Sequence, residues 1–258
     1  MRRDTSLGIL ALIIVIGGLV WYSLGGPRTA TAPGVTATSS LPAVGAYTDH
    51  GQYYDIAANY PTTTPMEGSA NAAAIASMRS YVSSEIASFM QQGHFDTLTP
   101  TDVKMMGYDQ GRKEKLQIVY LYSTSPAGTP RTVSYIFTEY TDTLGAHGNT
   151  FFRTFTFDTK TGQELSIGDL FTPGSDYLAK LSSLSRSYLA QNLGQFADTQ
   201  MVDAGTRAVE KSFQNFFLDN GTLAILFAPY DVAPYAAGPQ TVRIPVSELS
   251  GLFNPAYK

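Results

Sequence analysis

Cysteine is absent from this 258-residue chain, and histidine and tryptophan are scarce. The absence of cysteine excludes disulfides, zinc–thiolate sites, iron–sulfur clusters and thiol catalysis. The three histidines, His50, His94 and His147, do not have the four-residue spacing that places paired metal ligands on one helix face. A glycine-rich phosphate loop and a dinucleotide-binding motif are also missing from the sequence. We therefore expect neither a cofactor nor a bound metal.

Charged residues are also few. They make up 15% of the chain, with 17 basic and 21 acidic side chains and a formal net charge of -4. No basic run is present to neutralise a phosphate backbone, so nucleic acid is excluded as a partner. The modest negative balance serves solubility, or it attracts a basic partner such as a cell-wall enzyme. The sequence leaves both interpretations open.

A long apolar run lies near the start of the chain, where residues 7–24 contain no charged side chain. This length is sufficient to span a bilayer, and Arg2 and Arg3 predict a cytoplasmic amino terminus. We expect a cytoplasmic stub at 1–6, a transmembrane anchor at 7–24 and a flexible linker at 25–45, which is rich in Gly, Pro, Ala and Thr. The alternative is a cleaved signal peptide, which would leave the protein secreted.

The residues beyond the linker show the periodicities of both strands and helices. The predicted strands cover residues 52–60, 116–123, 131–140, 149–158 and 241–244. The predicted helices cover residues 69–92, 175–193 and 204–215, with a short last helix at 246–252. Asn220-Gly221 lies between two apolar runs and predicts a tight β-hairpin turn, because this dipeptide adopts positive φ at little cost.

The strand predicted at 149–158 places its bulky side chains on one side, with Phe151, Phe155 and Phe157 in alternation. The other side is mostly polar, so only one face is expected to join a core. Strands joined by hairpins and interrupted by helices predict an α+β fold class. We expect a largely antiparallel β-sheet with amphipathic helices packed on it, preceded by a single transmembrane helix.

Three motifs are too particular to reflect generic packing. They are TLGAHGN at 143–149, FDTKTGQELSIGDLF at 157–171 and YDVAPYAAG at 230–238. In order and spacing they resemble the RsiV-like and PdaC-like family of extracytoplasmic domains. Residues 143–258 are similar to the carboxyl-terminal domain of that family, and residues 46–142 are similar to the companion domain that usually precedes it.

The resemblance implies a binding module outside the cytoplasm, in a family whose members recognise lysozyme or associate with the cell wall. Anti-sigma activity in this family needs a longer cytoplasmic segment than residues 1–6, so we do not expect it here. The family's deacetylases use a separate catalytic domain with a metal-binding pair of aspartates. In this sequence Asp158 is followed by Thr159 instead, and deacetylation by such a pair is not expected.

The motifs contain four candidate residues for contact with a ligand or partner: His147, Tyr230, Pro234 and Tyr235. Tyrosine supplies contact area with few rotatable bonds, and proline stiffens a loop. A structural interpretation stands beside this one. His147 is then a hydrogen-bonding turn residue between Gly145 and Gly148, whose backbone angles a Cβ would oppose, and the Tyr-Pro loop is a crossover packed on the sheet.

No catalytic residue is assigned from the sequence. His147 is able to act as an acid or base, but no serine–acid or metal-ligand set can be assembled around it. Asp158 and Asp169 suggest the paired carboxylates of a glycosidase. Both aspartates also occupy positions that commonly cap local backbone, and this structural interpretation is favoured.

The function expected from the sequence is that of a membrane-anchored, extracytoplasmic binding module in a bacterial cell envelope. Its expected partner is lysozyme, a lysozyme-like protein or a peptidoglycan component, and its contact with the membrane is through the N-terminal helix. It is not expected to be an enzyme. The alternative is a cell-wall hydrolase or deacetylase with an active site that the sequence does not reveal.

Overall fold

The computed structural model describes residues 44–257, which form two β-sheets and several helices. The strands are β1 (Val44–His50), β2 (Tyr54–Pro61), β3 (Glu114–Ser125), β4 (Thr132–Asp142), β5 (Asn149–Asp158), β6 (Phe216–Asp219), β7 (Thr222–Phe227) and β8 (Gln240–Pro245). The α-helices are α1 (Gly68–Gly93), α2 (Pro100–Met106), α3 (Tyr177–Asn192) and α4 (Thr199–Gly205). Short 3-10 helices include Glu210–Phe213, Tyr235–Ala237 and Val246–Leu249.

The first sheet has five strands in the order β1-β2-β3-β4-β5, and the second has three in the order β6-β7-β8. All neighbouring strands are antiparallel except β2 and β3, which are parallel. A parallel pair needs a long crossover connection, and the segment containing α1 and α2 provides it. The described part of the chain therefore confirms the α+β class and the largely antiparallel sheet.

Helix α1 covers one face of the first sheet. Its buried side chains Ala74, Met78, Val82 and Phe89 recur every four or seven residues and so share one helical face. They pack against apolar side chains of four strands: Ile56, Leu116, Ile118, Val133, Tyr135, Phe137, Phe155 and Phe157. The helix ends at Gly93, and His94 follows in the left-handed conformation with φ of 47°. This helix confirms the one predicted at 69–92.

A second core lies on the three-stranded sheet. Its buried members come from all three strands, from the segment between β5 and α3, and from Leu181 and Leu189 of α3. Asn220 and Gly221 have φ of 43° and 78°, so the predicted Asn-Gly hairpin is confirmed between β6 and β7. Helices cover one face of each sheet and enclose its core. The opposite faces of the two sheets contact each other, and this contact includes polar groups.

Strand β6 runs across the second face of the first sheet, where hydroxyl side chains meet its backbone. The Thr154 hydroxyl accepts the Phe216 amide at 3.0 Å, and the Thr156 hydroxyl donates to the Phe216 carbonyl at 3.3 Å. The Ser123 hydroxyl donates to the Leu218 carbonyl at 3.0 Å. We call Ser123, Thr154 and Thr156 the hydroxyl seam. As β6 is an edge strand, the seam supplies partners that its backbone would otherwise lack.

The seam corrects the expectation that only one face of β5 is buried. Thr154 and Thr156 are 5% and 2% exposed, and Asp158 is 2% exposed. Phe151, which the alternation assigned to the core face, is 49% exposed instead. In a sequence, alternating small hydroxyl residues are typical of a solvent-exposed face of a strand. Because these side chains are small, another backbone is able to approach them closely and to form hydrogen bonds with them.

The helix predicted at 204–215 is wrong. Helix α4 begins earlier, where the Asp198 carboxylate accepts the Met201 amide at 3.0 Å, and it ends at Gly205. A Cβ on Gly205 would collide with the Asp231 carbonyl, so this glycine permits a close contact between two segments. The chain then forms only a 3-10 turn at Glu210–Phe213.

Strand β1 and helix α2 were not predicted. Strand β1 includes Val44 and Gly45, the last two residues of the expected linker; the expected cytoplasmic stub, transmembrane anchor and remaining linker lie outside the described residues. None of the helices within residues 44–257 combines the length and apolar character needed to cross a bilayer. The boundary expected at residues 142 and 143 stays a prediction, although β5 joins β4 in one sheet.

The hydroxyl seam generates a stability prediction. Thr154→Val keeps the side-chain shape but leaves the buried Phe216 amide without an acceptor, so we expect the free energy of unfolding to fall by about 1–3 kcal/mol. Urea denaturation followed by circular dichroism measures the change. Thr150→Val is the matched control, because Thr150 lies on the same strand, is also buried and forms none of the seam hydrogen bonds. Equal losses for both variants would contradict the role assigned to the seam.

A second prediction concerns Glu139, which is 8% exposed beneath α1 and accepts the Tyr81 hydroxyl at 3.1 Å. Burial raises the pKa of Glu139, the charge of Glu85 adds to this effect, and the Tyr81 hydrogen bond opposes it, so that the resulting pKa is about 7. The folded protein therefore holds a proton that the unfolded chain releases at lower pH. The resulting stability is present below the ordinary carboxyl pKa and is lost as the pH rises through the folded value.

Between pH 4.5 and 8, we expect the free energy of unfolding of the unchanged protein to fall by about 2–3 kcal/mol more than that of Glu139→Gln. The measurement is the free energy of unfolding of the variant and the unchanged protein across that range, with exposed Glu248→Gln as the control. Superimposable pH profiles for Glu139→Gln and the unchanged protein would show that Glu139 does not titrate differently on folding.

Candidate functional site

Three aromatic side chains from distant parts of the chain form a cluster at the surface. The rings of His147 and Tyr235 are stacked, with centroids 3.8 Å apart and planes 17° apart. The Tyr230 ring centroid lies 5.7 Å from that of Tyr235, and the Tyr230 hydroxyl lies 3.2 Å from His147 Nε2. We call His147, Tyr230 and Tyr235 the aromatic cluster. The structure thus brings together three of the four residues singled out from the sequence.

The cluster joins the loop between β4 and β5 to the loop between β7 and β8. The Tyr235 hydroxyl donates to the Gly148 carbonyl at 2.9 Å, and His147 Nδ1 lies 3.0 Å from the same oxygen. Burial raises the pKa of Tyr235, and the neighbouring Tyr230 and Asp142 raise it further. Tyr235 therefore remains a protonated phenol at neutral pH and keeps its donor hydrogen bond between the loops.

The His147 loop depends on a glycine, though not in the manner expected from the sequence. A Cβ at Gly148 would collide with the Tyr140 hydroxyl, so the absence of a side chain allows close packing. Gly145 has open space around it and no positive φ. The left-handed residue of this loop is instead Leu144, with φ of 62°. Neither glycine has the unusual backbone angles expected from the sequence, and Gly148 is required for close packing instead.

The second loop holds Tyr230 in a strained backbone conformation, with φ of 73°. Its amide donates to the Ala233 carbonyl at 3.2 Å, and the Asp231 carboxylate accepts the Ala228 amide at 2.7 Å. These bonds maintain a conformation that a bulky residue rarely adopts. The result is a Tyr230 side chain that is 53% exposed.

Pro234 lies in the same loop, between Tyr230 and Tyr235. It is half-buried, it follows the buried Val232 and Ala233, and its carbonyl accepts the Ala237 amide at 2.9 Å. The short helix Tyr235–Ala237 begins directly after it. The fixed φ of proline suits this position, so the structure assigns Pro234 a supporting place beside the cluster.

The two aspartates considered as a glycosidase pair are both occupied by local hydrogen bonds. Asp158 accepts the Lys160 and Thr161 amides at 2.8 and 3.0 Å, and its second oxygen lies 2.7 Å from Arg131 Nη2. Although burial opposes it, these bonds and charges lower the pKa of Asp158 overall. Asp169 accepts the amide and the hydroxyl of Ser166 at 2.7 Å each. The turn and cap roles expected for both residues are confirmed.

A polar cleft, which the sequence reasoning missed, lies beside the His147 loop. It has a volume of about 380 Å³. Its lining includes the charged residues Asp55, Arg112, Lys113, Lys115 and Asp142 together with Leu144. The basic residues are concentrated at positions 112 to 115, just before and within β3. This short concentration was a usable signal, but only the fold reveals that Asp55 and Asp142 flank it on neighbouring strands.

His50 lies next to this cleft through its contact with Asp55. His50 Nδ1 is 2.8 Å from Asp55 Oδ1, and Lys113 Nζ is 3.2 Å from the same oxygen. Burial raises the pKa of Asp55, but the hydrogen bonds from His50 and Lys113 outweigh this effect and lower the pKa overall. A carboxylate that orients an imidazole is one component of a general-base site. Residues 44–257 contain no group of three side chains suited to hold a metal ion.

Two curated bacterial proteins are similar to this chain. The peptidoglycan-N-acetylmuramic acid deacetylase PdaC of Bacillus subtilis is 33% identical over 127 residues, which is 49% of this chain and 27% of PdaC. The chain thus spans about a quarter of that relative. Esterase Rv3036c of Mycobacterium tuberculosis is 25% identical over 167 residues, covering 63% of this chain and 72% of the esterase.

Solved structures show a related fold. A crystal structure of a member of the DUF3298 family from Bacteroides fragilis superposes with a TM-score of 0.57 and 14% sequence identity, over 83% of this chain and 94% of that one. At this identity the likeness concerns the fold alone. A family model described as "Protein of unknown function (DUF3298)" matches residues 168–247.

The matched segment includes Tyr230, Pro234 and Tyr235, whereas His147 precedes it. Strands β6, β7 and β8 also lie entirely within the matched segment. The conclusion from this match is that residues 168–247 of the chain correspond to a DUF3298 domain.

Proposed function

We propose that this chain is a membrane-anchored, extracytoplasmic binding module and that the aromatic cluster is its contact surface. One observation carries the proposal: His147 and Tyr235, from two loops distant in sequence, stack ring to ring, while Tyr230 beside them stays 53% exposed. Rigid aromatic side chains bind with little loss of conformational entropy, which is why tyrosine is enriched at binding surfaces.

The contacts around the rings favour a ligand-binding role of these side chains over a purely structural one. Tyr235 and His147 share the Gly148 carbonyl, so two rings are already held in place before a ligand arrives. Preorganisation of this kind reduces the entropic cost of association. The strained conformation of Tyr230 adds to the argument, since such strain is concentrated at functional sites.

For the ligand, we propose a cell-wall glycan first and a lysozyme-like protein as the alternative. PdaC is named as acting on peptidoglycan N-acetylmuramic acid, which supports a wall sugar as the ligand class. Sugar rings present C–H faces that pack on aromatic side chains, as apolar ligand surfaces do in other sites. The resemblance to the RsiV-like family supports the protein partner.

Ester hydrolysis is a second candidate function, favoured by two observations. Esterase Rv3036c is similar over 72% of its own length, and the His50–Asp55 pair borders a cleft that contains cations. In this candidate, Asp55 orients His50, and His50 removes a proton from water that attacks the ester carbonyl. The tetrahedral intermediate then collapses, the bond to the alkoxide leaving group breaks, and His50 returns the proton to that alkoxide. Arg112 and Lys115 would stabilise the oxyanion of the intermediate.

The binding proposal predicts the effect of changing Tyr235. Because a central aromatic contact typically contributes 2 kcal/mol or more, we expect Tyr235→Ala to weaken binding about 30-fold. Tyr235→Phe keeps the ring and loses only the hydrogen bond to Gly148, so its loss is expected to be smaller. Binding of the full chain in detergent to purified peptidoglycan and to a c-type lysozyme is measured at low and physiological salt.

Tyr47→Ala is the control, because Tyr47 is an exposed tyrosine on β1, remote in sequence from both loops. Unchanged affinity for both ligands after Tyr230→Ala and Tyr235→Ala, with folding intact by circular dichroism, would disprove the proposed surface. Binding to lysozyme alone would reverse the order of the two proposed ligands.

The esterase candidate is tested with p-nitrophenyl acetate and the full chain in detergent. Under the binding proposal, we expect no turnover above that of detergent and buffer. Turnover that His50→Gln lowers by about 100-fold or more, the usual contribution of a general base, and that His147→Gln leaves unchanged would replace binding by hydrolysis as the proposed function.

A further inference from the structure

The polar cleft beside the aromatic cluster is lined by more basic than acidic side chains. Three cations line it, Arg112, Lys113 and Lys115, against the two carboxylates Asp55 and Asp142. At about 380 Å³ its volume is within the range of small-molecule sites. The cleft therefore has room for a chemical group of a ligand and an excess of positive charge to attract an anion.

The carboxylates of the cleft already have protein partners. Asp55 lies within hydrogen-bond distance of Lys113 and His50, at 3.2 and 2.8 Å. Asp142 accepts the Leu144 amide at 2.9 Å. Neither carboxylate forms an ion pair with the other two cations of the cleft, so these cations are available to a ligand.

Arg112 and Lys115 are those remaining cations. Across the described part of the chain, neither forms an ion pair. Arg112 uses one N–H group to donate to the Leu144 carbonyl at 3.2 Å, and a guanidinium has five such donors. Carboxylates fit the fork of donors that remains, and Lys115 adds a point charge near the start of β3.

The cleft and the aromatic cluster share one loop. Leu144 lines the cleft, and His147 belongs to the cluster. Three residues of chain reach at most about 10 Å, so a ligand of a few sugar units is able to contact both places. The same hydrogen bond from Arg112 to Leu144 ties the cationic side of the cleft to the loop that carries His147.

We infer that this cleft binds a carboxylate of the ligand that the aromatic cluster holds, which makes the ligand an acidic glycan. The inference rests on the proposed binding function and specifies its substrate class. The aromatic rings contact the sugar, while Arg112 and Lys115 bind the carboxylate attached to it. A peptide carboxylate offers the same chemistry, and the test below separates these two sources.

Three probes distinguish the sources, each titrated into the full chain in detergent by calorimetry. They are chitotetraose, which is neutral; the peptide-free tetrasaccharide of alternating N-acetylglucosamine and N-acetylmuramic acid, which carries carboxylates; and a peptide ending in D-Ala-D-Ala. The two glycans share their ring type and length. The difference between their affinities therefore measures the contribution of the carboxylates.

Lys115→Gln is the informative variant, because Lys115 has no ion pair that the substitution would disrupt. We expect the acidic glycan to bind the unchanged protein about fivefold more tightly than chitotetraose, and Lys115→Gln to remove this difference. Lys115→Arg retains the charge and is expected to restore it. Tyr235→Ala should weaken both glycans alike.

Lys160→Gln is the matched control. Lys160 is exposed and follows Asp158, which pairs with Thr132 at the start of β4, whereas Asp142 lies at the other end of that strand. At about 3.3 Å per residue the two ends are roughly 30 Å apart. This control removes an equal charge far from the cleft and is expected to leave the preference for the acidic glycan unchanged.

The outcomes separate this inference from the proposed function. Equal binding of both glycans, unaffected by Lys115→Gln but lost in Tyr235→Ala, would overturn the carboxylate site and leave the aromatic surface intact. Binding of the peptide that depends on Lys115, without binding of either glycan, would overturn the acidic glycan and assign the carboxylate to a peptide. Failure of all three probes would reject the inference, while lysozyme binding would still test the proposed function separately.

Discussion

The position of the candidate site depends on the hydroxyl seam between the two sheets. Strand β6 pairs with β7 on one side, and serine and threonine side chains of β3 and β5 form hydrogen bonds with its backbone where a further strand would otherwise be needed. The hairpin then connects β6 to β7, and the next loop contains Tyr230 and Tyr235. Strand β5 begins just after His147. By joining β5 to β6, the seam therefore sets the position of the His147 loop relative to the loop that contains Tyr230 and Tyr235.

The aromatic cluster and the polar cleft have complementary properties. The cluster offers exposed rings held by hydrogen bonds to one carbonyl, and the cleft offers cations whose acidic neighbours are already paired. The loop from Leu144 to His147 belongs to both. A ligand with an apolar face and a negative charge matches this combination, and a glycan that carries a carboxylate has both features.

Local patterns in the sequence predicted those elements whose interactions are local. Helix α1 follows from apolar residues every three or four positions, and the hairpin at Asn220-Gly221 follows from backbone angles that few dipeptides tolerate. The failures occur where a distant segment determines the structure. The helix predicted at 204–215 is interrupted near Gly205, which contacts the Asp231 carbonyl, and the second face of β5 is buried by β6.

The sequence by itself determined the α+β class, the main helix, most strands and the residues His147, Tyr230, Pro234 and Tyr235 as candidates, because periodicity, turn chemistry and motifs are local properties. Only the tertiary structure decided that three of these residues form one cluster and that Asp55 and Asp142 flank the basic residues before and within β3. Such contacts depend on the pairing of strands that are distant in sequence. The sequence also does not indicate which distant backbone will pack on a serine or threonine side chain and form hydrogen bonds with it.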